Sequence, residues 1–142
     1  MIELVEDRLD IDTYLELRQS VQFRELTRDQ AKKGLSNSLY TLVAFKDGKA
    51  VGMGRIVGDG AIICYVQDLI IRPEVQGEGI GGLILETLKK FVIQEGYEGT
   101  TMMFDLMCAK GREEFYKKHG FIARPTKDLG PGMIQFIQIG SD

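Results

Sequence analysis

A chain of 142 residues, 44% hydrophobic and 27% charged, is expected to form one domain, residues 1–142, burying roughly two-thirds of its unfolded surface. Its net charge of −3 and the lack of a basic stripe argue against nucleic acid as the main partner and mildly suit a cationic substrate. No apolar run reaches the about 18 residues of a membrane span, and the start MIELVEDRLD is acidic, so no membrane partner and no signal peptide are expected and the chain reads as cytoplasmic.

Residues 1–5 predict a first strand. Asp10 or Asp12 is the expected N-cap of a helix carrying Tyr14, Leu15, Leu17 and Val21 on its apolar side. Thr27 with Gln30 three positions on makes a capping box for a second helix, which Ser36-Asn37-Ser38 ends. Residues 39–45 and 50–57 flank Asp47-Gly48, a strong hairpin signal. Gly58-Asp59-Gly60 turns the chain into a long strand over residues 61–71. After Arg72-Pro73 and a run of glycines, Ile80, Ile84, Leu88, Phe91 and Val92 mark a helix that Gly96 stops. Residues 101–107 predict a fifth strand, 110–118 a short helix ended by Gly120, and 121–123 and 133–139 two more strands. Hairpins first and crossovers after give an α+β (mixed α/β) class, with a mostly antiparallel central sheet of about six or seven strands and helices on both faces. Cys64 and Cys108 sit in apolar, strand-like surroundings and are expected to be two buried thiols rather than a disulfide.

Strand, glycine turn and helix in succession aim unpaired backbone N–H groups and the positive end of a helix at one point, where phosphate binds. Two phosphate-binding patterns overlap there. Gly77-Glu78-Gly79-Ile80-Gly81-Gly82 satisfies GxGxxG, with Glu98 as the acid that a dinucleotide site would need. The hairpins before residue 65 and the short remainder after residue 96 do not fit a doubly wound sheet, so a nicotinamide or flavin binder is the weaker alternative. The same stretch, read as Gln76-Gly77-Glu78-Gly79-Ile80-Gly81 after a strand ending "IIRPE", resembles the acetyl-CoA pyrophosphate loop of the GNAT superfamily of acyl-CoA-dependent N-acyltransferases. A second block, Glu113-Glu114-Phe115-Tyr116-Lys117-Lys118-His119-Gly120-Phe121, is similar to the family's late helix and strand.

The resemblance implies a GNAT-like fold and an N-acetyltransferase that moves acetyl from acetyl-CoA to a primary amine by direct attack in a ternary complex, with no metal. Such chemistry needs a held acyl donor, a neutral amine, charge stabilisation at the tetrahedral centre and a proton for the departing thiolate. Carried over by position, Gln76, Gly77, Glu78, Gly79, Ile80, Gly81 and Gly82 hold the diphosphate. Backbone groups of Leu69, Ile70 and Ile71 pair with the pantetheine arm, the N–H of Leu69 facing the thioester oxygen. Tyr116 contacts the cofactor and protonates the leaving sulfur. Asp68 is the base or, equally, a structural partner of a residue such as Arg55; strict alternation sends it away from Leu69, while Tyr65 and Gln67, expected on the Leu69 face, orient a water. Ala109 stands where the family often has an asparagine. His119 is expected at a helix end, meeting the negative pole of the dipole, and Lys110, Lys117 and Lys118 on the solvated surface by default, with steering of the cofactor's ribose phosphate as the other reading. Acceptor contacts fall to residues 17–26, including Gln22, Phe23 and Arg24, and to the loop at 130–133. A non-catalytic CoA-binding sensor of the same fold is the alternative, and a homodimer is open by analogy alone.

Overall fold

A computed structural model describes residues 1–140. The elements run β1 (Ile2–Glu6), α1 (Ile11–Ser20), α2 (Arg28–Ser36), β2 (Tyr40–Lys46), β3 (Lys49–Gly58), β4 (Ile63–Ile71), α3 (Ile80–Glu95), β5 (Met103–Leu106) and α4 (Glu113–Lys118), with a 3₁₀ turn at Pro73–Val75. They fall into two compact units, Met1–Leu106 and a second from Met107 onward. Among the described residues no helix is long and apolar enough to cross a membrane.

Local chemistry accounts for most boundaries of the first unit. The Asp10 carboxylate accepts the Thr13 N–H at 2.7 Å and starts α1. Thr27 accepts from the Gln30 N–H at 3.1 Å while the Gln30 side chain accepts the Thr27 N–H at 3.4 Å, so the capping box of α2 is complete. Asp47 and Gly48 both take left-handed φ, +52° and +79°, the two-residue turn whose twist matches flanking strands. The strand expected from residue 61 begins only at Ile63. Asp59 causes the delay: its carboxylate accepts the N–H groups of Ala61, Ile62 and Ile63 at 2.9, 2.8 and 3.0 Å, a side-chain turn that displaces ladder pairing.

The sheet has the order β1-β2-β3-β4-β5, antiparallel up to β4 and parallel between β4 and β5, which α3 links as a crossover. One face packs α3 through Ile80, Ile84, Leu88 and Val92 against Leu42, Val51, Ile56, Cys64 and Val66; the other holds Tyr14, Leu17, Ala31, Met53 and Ile70 beneath α1 and α2. α3 lies close to the strands because Gly54 has no side chain. A β-carbon there would come 2.7 Å from Ile84 Cγ2 and 3.0 Å from Leu88 Cδ1, a clash a close-packed core cannot absorb without shifting.

A bulge interrupts β4. Asp68 pairs with Arg55 while Val66 pairs with Ile56, leaving Gln67 as the extra residue. Cys64 and Val66 therefore share the α3 core with Leu69 and Ile71, whereas Ile70 belongs to the α1–α2 side. Tyr65, between Cys64 and Val66, points to the α1–α2 side with Asp68, and Gln67 is exposed at the bulge. The sequence places Tyr65 and Gln67 with Leu69; the bulge reverses that for Tyr65.

In the second unit α4 starts at Glu113 rather than 110, because Gly111 takes φ +90°, outside helical space. Residues 121–123 and 133–139 join no ladder among the described residues, so the sheet has five strands rather than six or seven. The second segment, Met-Ile-Gln-Phe-Ile-Gln-Ile, repeats every three residues instead of every two, and Met133, Ile134, Phe136, Ile137 and Ile139 are all exposed. Such a pattern offers no single face to bury. Both cysteines are free thiols, but only Cys64 is buried; Cys108 lies beyond the end of β5 and is exposed.

Candidate active site

β4 runs past its neighbour. Residues 63–66 pair with β5, and residues 67–71 continue with no strand on that side among the described residues. The main-chain groups of Leu69 and Ile71 thus face an open edge, the kind that takes up an extended ligand by main-chain pairing, while those of Ile70, in step with the Arg72 N–H bonded to Val51 O, turn toward β3 rather than outward as the sequence reading expects. The side chains of Leu69 and Ile71 are core material on the α3 side, so only their backbone is left for binding.

At the end of that edge the chain turns. Arg72 fixes the turn: its N–H donates to Val51 O at 2.8 Å, its Nε to Ala50 O at 2.7 Å, and its Nη2 pairs with Glu16 of α1. Gln76 Nε2 donates to Ile71 O at 3.0 Å, closing the loop on the strand it leaves. Gly77 and Gly79 then take φ +87° and +85°, and a β-carbon on either would meet nothing within 4 Å. The loop is open on the side where side chains would project.

α3 begins there without a cap. Its N-cap, Gly79, has no side chain to bond the first turn, and that turn holds no acid. Its first helical bond runs from Leu83 N–H to Gly79 O at 3.2 Å, leaving the N–H groups of Ile80, Gly81 and Gly82 ahead of it. Uncapped donors at the positive end of a helix suit an anion. Glu78, the acid inside the loop, is held by Lys46 Nζ at 2.8 Å and in turn keeps that ammonium above its ordinary pKa.

Asp68 has a different environment. Its side chain is buried, and three donors meet it: Tyr14 Oη at 2.7 Å and Arg55 Nε at 2.9 Å on Oδ2, and Arg18 Nη1 at 3.2 Å on Oδ1. The arginines are tied down further, Arg55 Nη1 to Gly34 O and Ser38 Oγ at 3.0 Å each, and Arg18 Nη2 to Arg24 O at 2.9 Å. Burial, and then the Asp68 charge, pushes the Tyr14 phenol up, so it stays a donor at neutral pH. Of the two roles open to Asp68, this geometry favours the structural one with Arg55. Tyr14 and Arg18 are further partners that sequence reasoning missed. The available signal was their spacing of four on the helix face that also carries Leu17.

The remaining residues of the sequence reading belong to the second unit. Tyr116 lies in α4, edge-on to Phe115 and Phe121 at centroid distances of 5.0 and 5.8 Å. Burial is the main cause raising its pKa, with Cys108 adding to it and Arg112 opposing. It is therefore protonated at neutral pH, as a proton donor must be. His119 caps the C-terminal end of α4 and packs against Phe115 at 5.0 Å. Among the expected acceptor contacts, Phe23 lies 5.4 Å from the Arg18 guanidinium carbon, and Gln22 takes a left-handed φ of +60°. In the loop at 130–133, Gly130 O accepts from Arg124 Nε at 2.5 Å. No group of three or more His, Cys, Asp or Glu among the described residues is placed to hold a metal.

β4 outruns β5, and a glycine loop opens an uncapped helix at its end, so backbone donors suited to an anion lie beside a bare strand edge. Residues 37–123 match the Acetyltransferase (GNAT) domain, more than half of the chain. The chain belongs to the GNAT acetyltransferase family. It is similar in structure to a probable acetyltransferase of meticillin-resistant Staphylococcus aureus, at TM-score 0.84 and 28% identity over 96% of this chain and 100% of that one. A GNAT family acetyltransferase from Streptococcus pneumoniae TIGR4 gives TM-score 0.79 and 29% identity over 97% and 99%. In sequence it is 31% identical over 100 residues to the uncharacterized N-acetyltransferase ycf52 of Pyropia yezoensis, covering 68% of this chain and 55% of that protein. It is 29% identical over 80 residues to the chloroplastic GCN5-related N-acetyltransferase 2 of Arabidopsis thaliana, covering 56% of this chain and 30% of that protein. The chain thus spans between about a third and just over half of these curated relatives' length.

Proposed function

We propose that this chain transfers an acetyl group from acetyl-CoA to a primary amine of a small molecule or peptide, by direct attack of the amine while both substrates are bound. The observation that carries the reading is the uncapped start of α3 behind Gly77 and Gly79, at the end of a strand whose outer edge is unpaired. Acetyl-CoA fits these residues: a diphosphate needs donors without competing side chains, and an extended arm needs a bare strand edge. It supplies an acyl group on a thioester.

The chain's own residues do the rest. The N–H groups of Ile80, Gly81 and Gly82 take the diphosphate, with Gly77 and Gly79 keeping the loop clear and Gln76 bracing it. Leu69 and Ile71 align the arm through their outward main-chain groups, Ile70 between them facing β3, and the Leu69 N–H polarises the thioester carbonyl. As the amine nitrogen bonds to the carbonyl carbon and the C–S bond breaks, Tyr116 gives its phenolic proton to the sulfur. Asp68 acts by position, holding β4 to α1 and α2. A water rather than Asp68 takes the proton that the amine loses.

Thiol release measured with acetyl-CoA and a panel of amines, alongside acetyl-CoA binding by calorimetry, tests this. Amine-dependent release is the expected result. Tight binding with no release under any amine makes the chain a CoA sensor, and thermal stabilisation by NAD(H) but not CoA overturns both. Tyr116→Phe is expected to slow turnover by about 10²-fold with little loss of acetyl-CoA affinity; unchanged turnover removes its role as acid.

A further inference from the structure

β5 carries a buried carboxylate oxygen for which no donor is found among the described residues. Asp105 sits between Phe104 and Leu106, both of which pack on the α3-side core, so its side chain leaves from the opposite face of the sheet. There it stands in register with Tyr65 of β4, which is in register with Val57 of β3. This row contains no cation. Asp105 Oδ1 is buried and accepts no hydrogen bond, and none of the ion pairs among the described residues includes it. Burial pushes its carboxyl up, and only its own backbone N–H works the other way.

The contrast lies on the same face. Asp68 is buried as a whole, and it has three donors, two of them arginines. A dry carboxylate oxygen with no donor is costly to keep, and such groups persist where something outside the fold completes them. The missing partner must bring positive charge or N–H donors to the α1–α2 side of β5, beside the Tyr65 phenol. An alkylammonium has both.

We propose that Asp105 captures the acceptor as its ammonium, which gives a proton to water before the neutral amine attacks, so that this face of the sheet selects cationic primary amines over amines carrying a phosphate or carboxylate close to the nitrogen. The inference rests on the acetyl-transfer reading and gives that reading its substrate class. A carboxylate recognises an alkylammonium by charge-assisted hydrogen bonds, and the apolar strand neighbours strengthen the attraction by lowering the local dielectric. A second anionic group next to the amine would meet Asp105 with like charge.

The test compares wild type, Asp105→Asn and Asp105→Glu with putrescine, tyramine and phosphoethanolamine as acceptors, reading KM for each amine and for acetyl-CoA. Wild type is expected to acetylate putrescine or tyramine in preference to phosphoethanolamine. Asp105→Asn, nearly the same in shape, is expected to raise KM for the amine by about 10²-fold while leaving KM for acetyl-CoA unchanged. Asp105→Glu is expected to recover part of the loss. If wild type releases no thiol with any amine, acetyl transfer itself falls and the anchor falls with it. If wild type is active but Asp105→Asn keeps the amine KM, or shifts both KM values equally, the anchor alone is wrong and Asp105 is structural.

Discussion

The two ends of one stretch of chain do opposite work. At Asp68 the strand is held by side chains: a carboxylate, a phenol and two guanidiniums, buried and bonded to one another. A dozen residues on, at Gly77 to Gly82, side chains are withdrawn and the main chain is what remains to bind. The first region spends its polar groups on the fold. The second leaves them unspent, and unsatisfied donors at a helix start mark a place for a ligand. Positioning and binding are thus separable along β4 and its loop, and substitutions should divide accordingly.

Asp68→Ala should have the largest effect on folding. It leaves Arg55 and Arg18 buried without their counter-charge, and about 3–5 kcal/mol of stability should go, read from urea midpoints. Asp68→Asn keeps an acceptor and should lose less. If Asp68→Asn instead abolishes turnover while the midpoint holds, Asp68 is a base and the division fails. Next in size is Gly79→Asp, which sets a β-carbon at left-handed φ and a carboxylate at the mouth of the helix. Acetyl-CoA affinity by calorimetry should weaken by about 10²-fold, with a far smaller change in urea midpoint than Asp68→Ala causes. A loss of stability as large as that of Asp68→Ala would make the loop structural.

The smallest effect concerns the Asp10 cap of α1, the helix that supplies Tyr14 and Arg18. The Thr13 N–H holds the Asp10 carboxyl below its ordinary value. Because the folded pKa is lower than the unfolded one, the cap's contribution is present above about pH 4 and is lost as pH falls through the folded value. Wild type should exceed Asp10→Ala by about 1 kcal/mol at pH 7, and the gap should close toward pH 3.

What the sequence revealed follows from how far its signals reach. Caps at Asp10 and Thr27, the Asp47-Gly48 hairpin and the glycine loop are written in neighbouring residues, and each appears where those residues place it. Asp59 was visible as a turn residue, but its capture of three N–H groups was not, so β4 starts late. The bulge at Gln67 exists only in the pairing of two strands, and no local pattern announces it. For the same reason Tyr65 is expected on the wrong face, and the partners of Asp68 were only half legible. Asp105 is silent in the sequence because its meaning depends on which donors surround it in three dimensions. Residues 133–139 are expected as a strand, and their triplet period, which gives them no single face to bury, is the signal that expectation leaves out.

The extra residue at Gln67 also shifts the phase of β4. Strict two-residue counting would put Val66, Asp68 and Ile70 on a single side, and either the salt knot or the hydrophobic seat of α3 would be lost. Resetting the count once, midway, lets an unbroken strand turn Cys64, Val66, Leu69 and Ile71 toward one layer and Tyr65, Asp68 and Ile70 toward the other. The irregularity is what allows one ribbon to seat α3 on one side and hold the salt knot on the other.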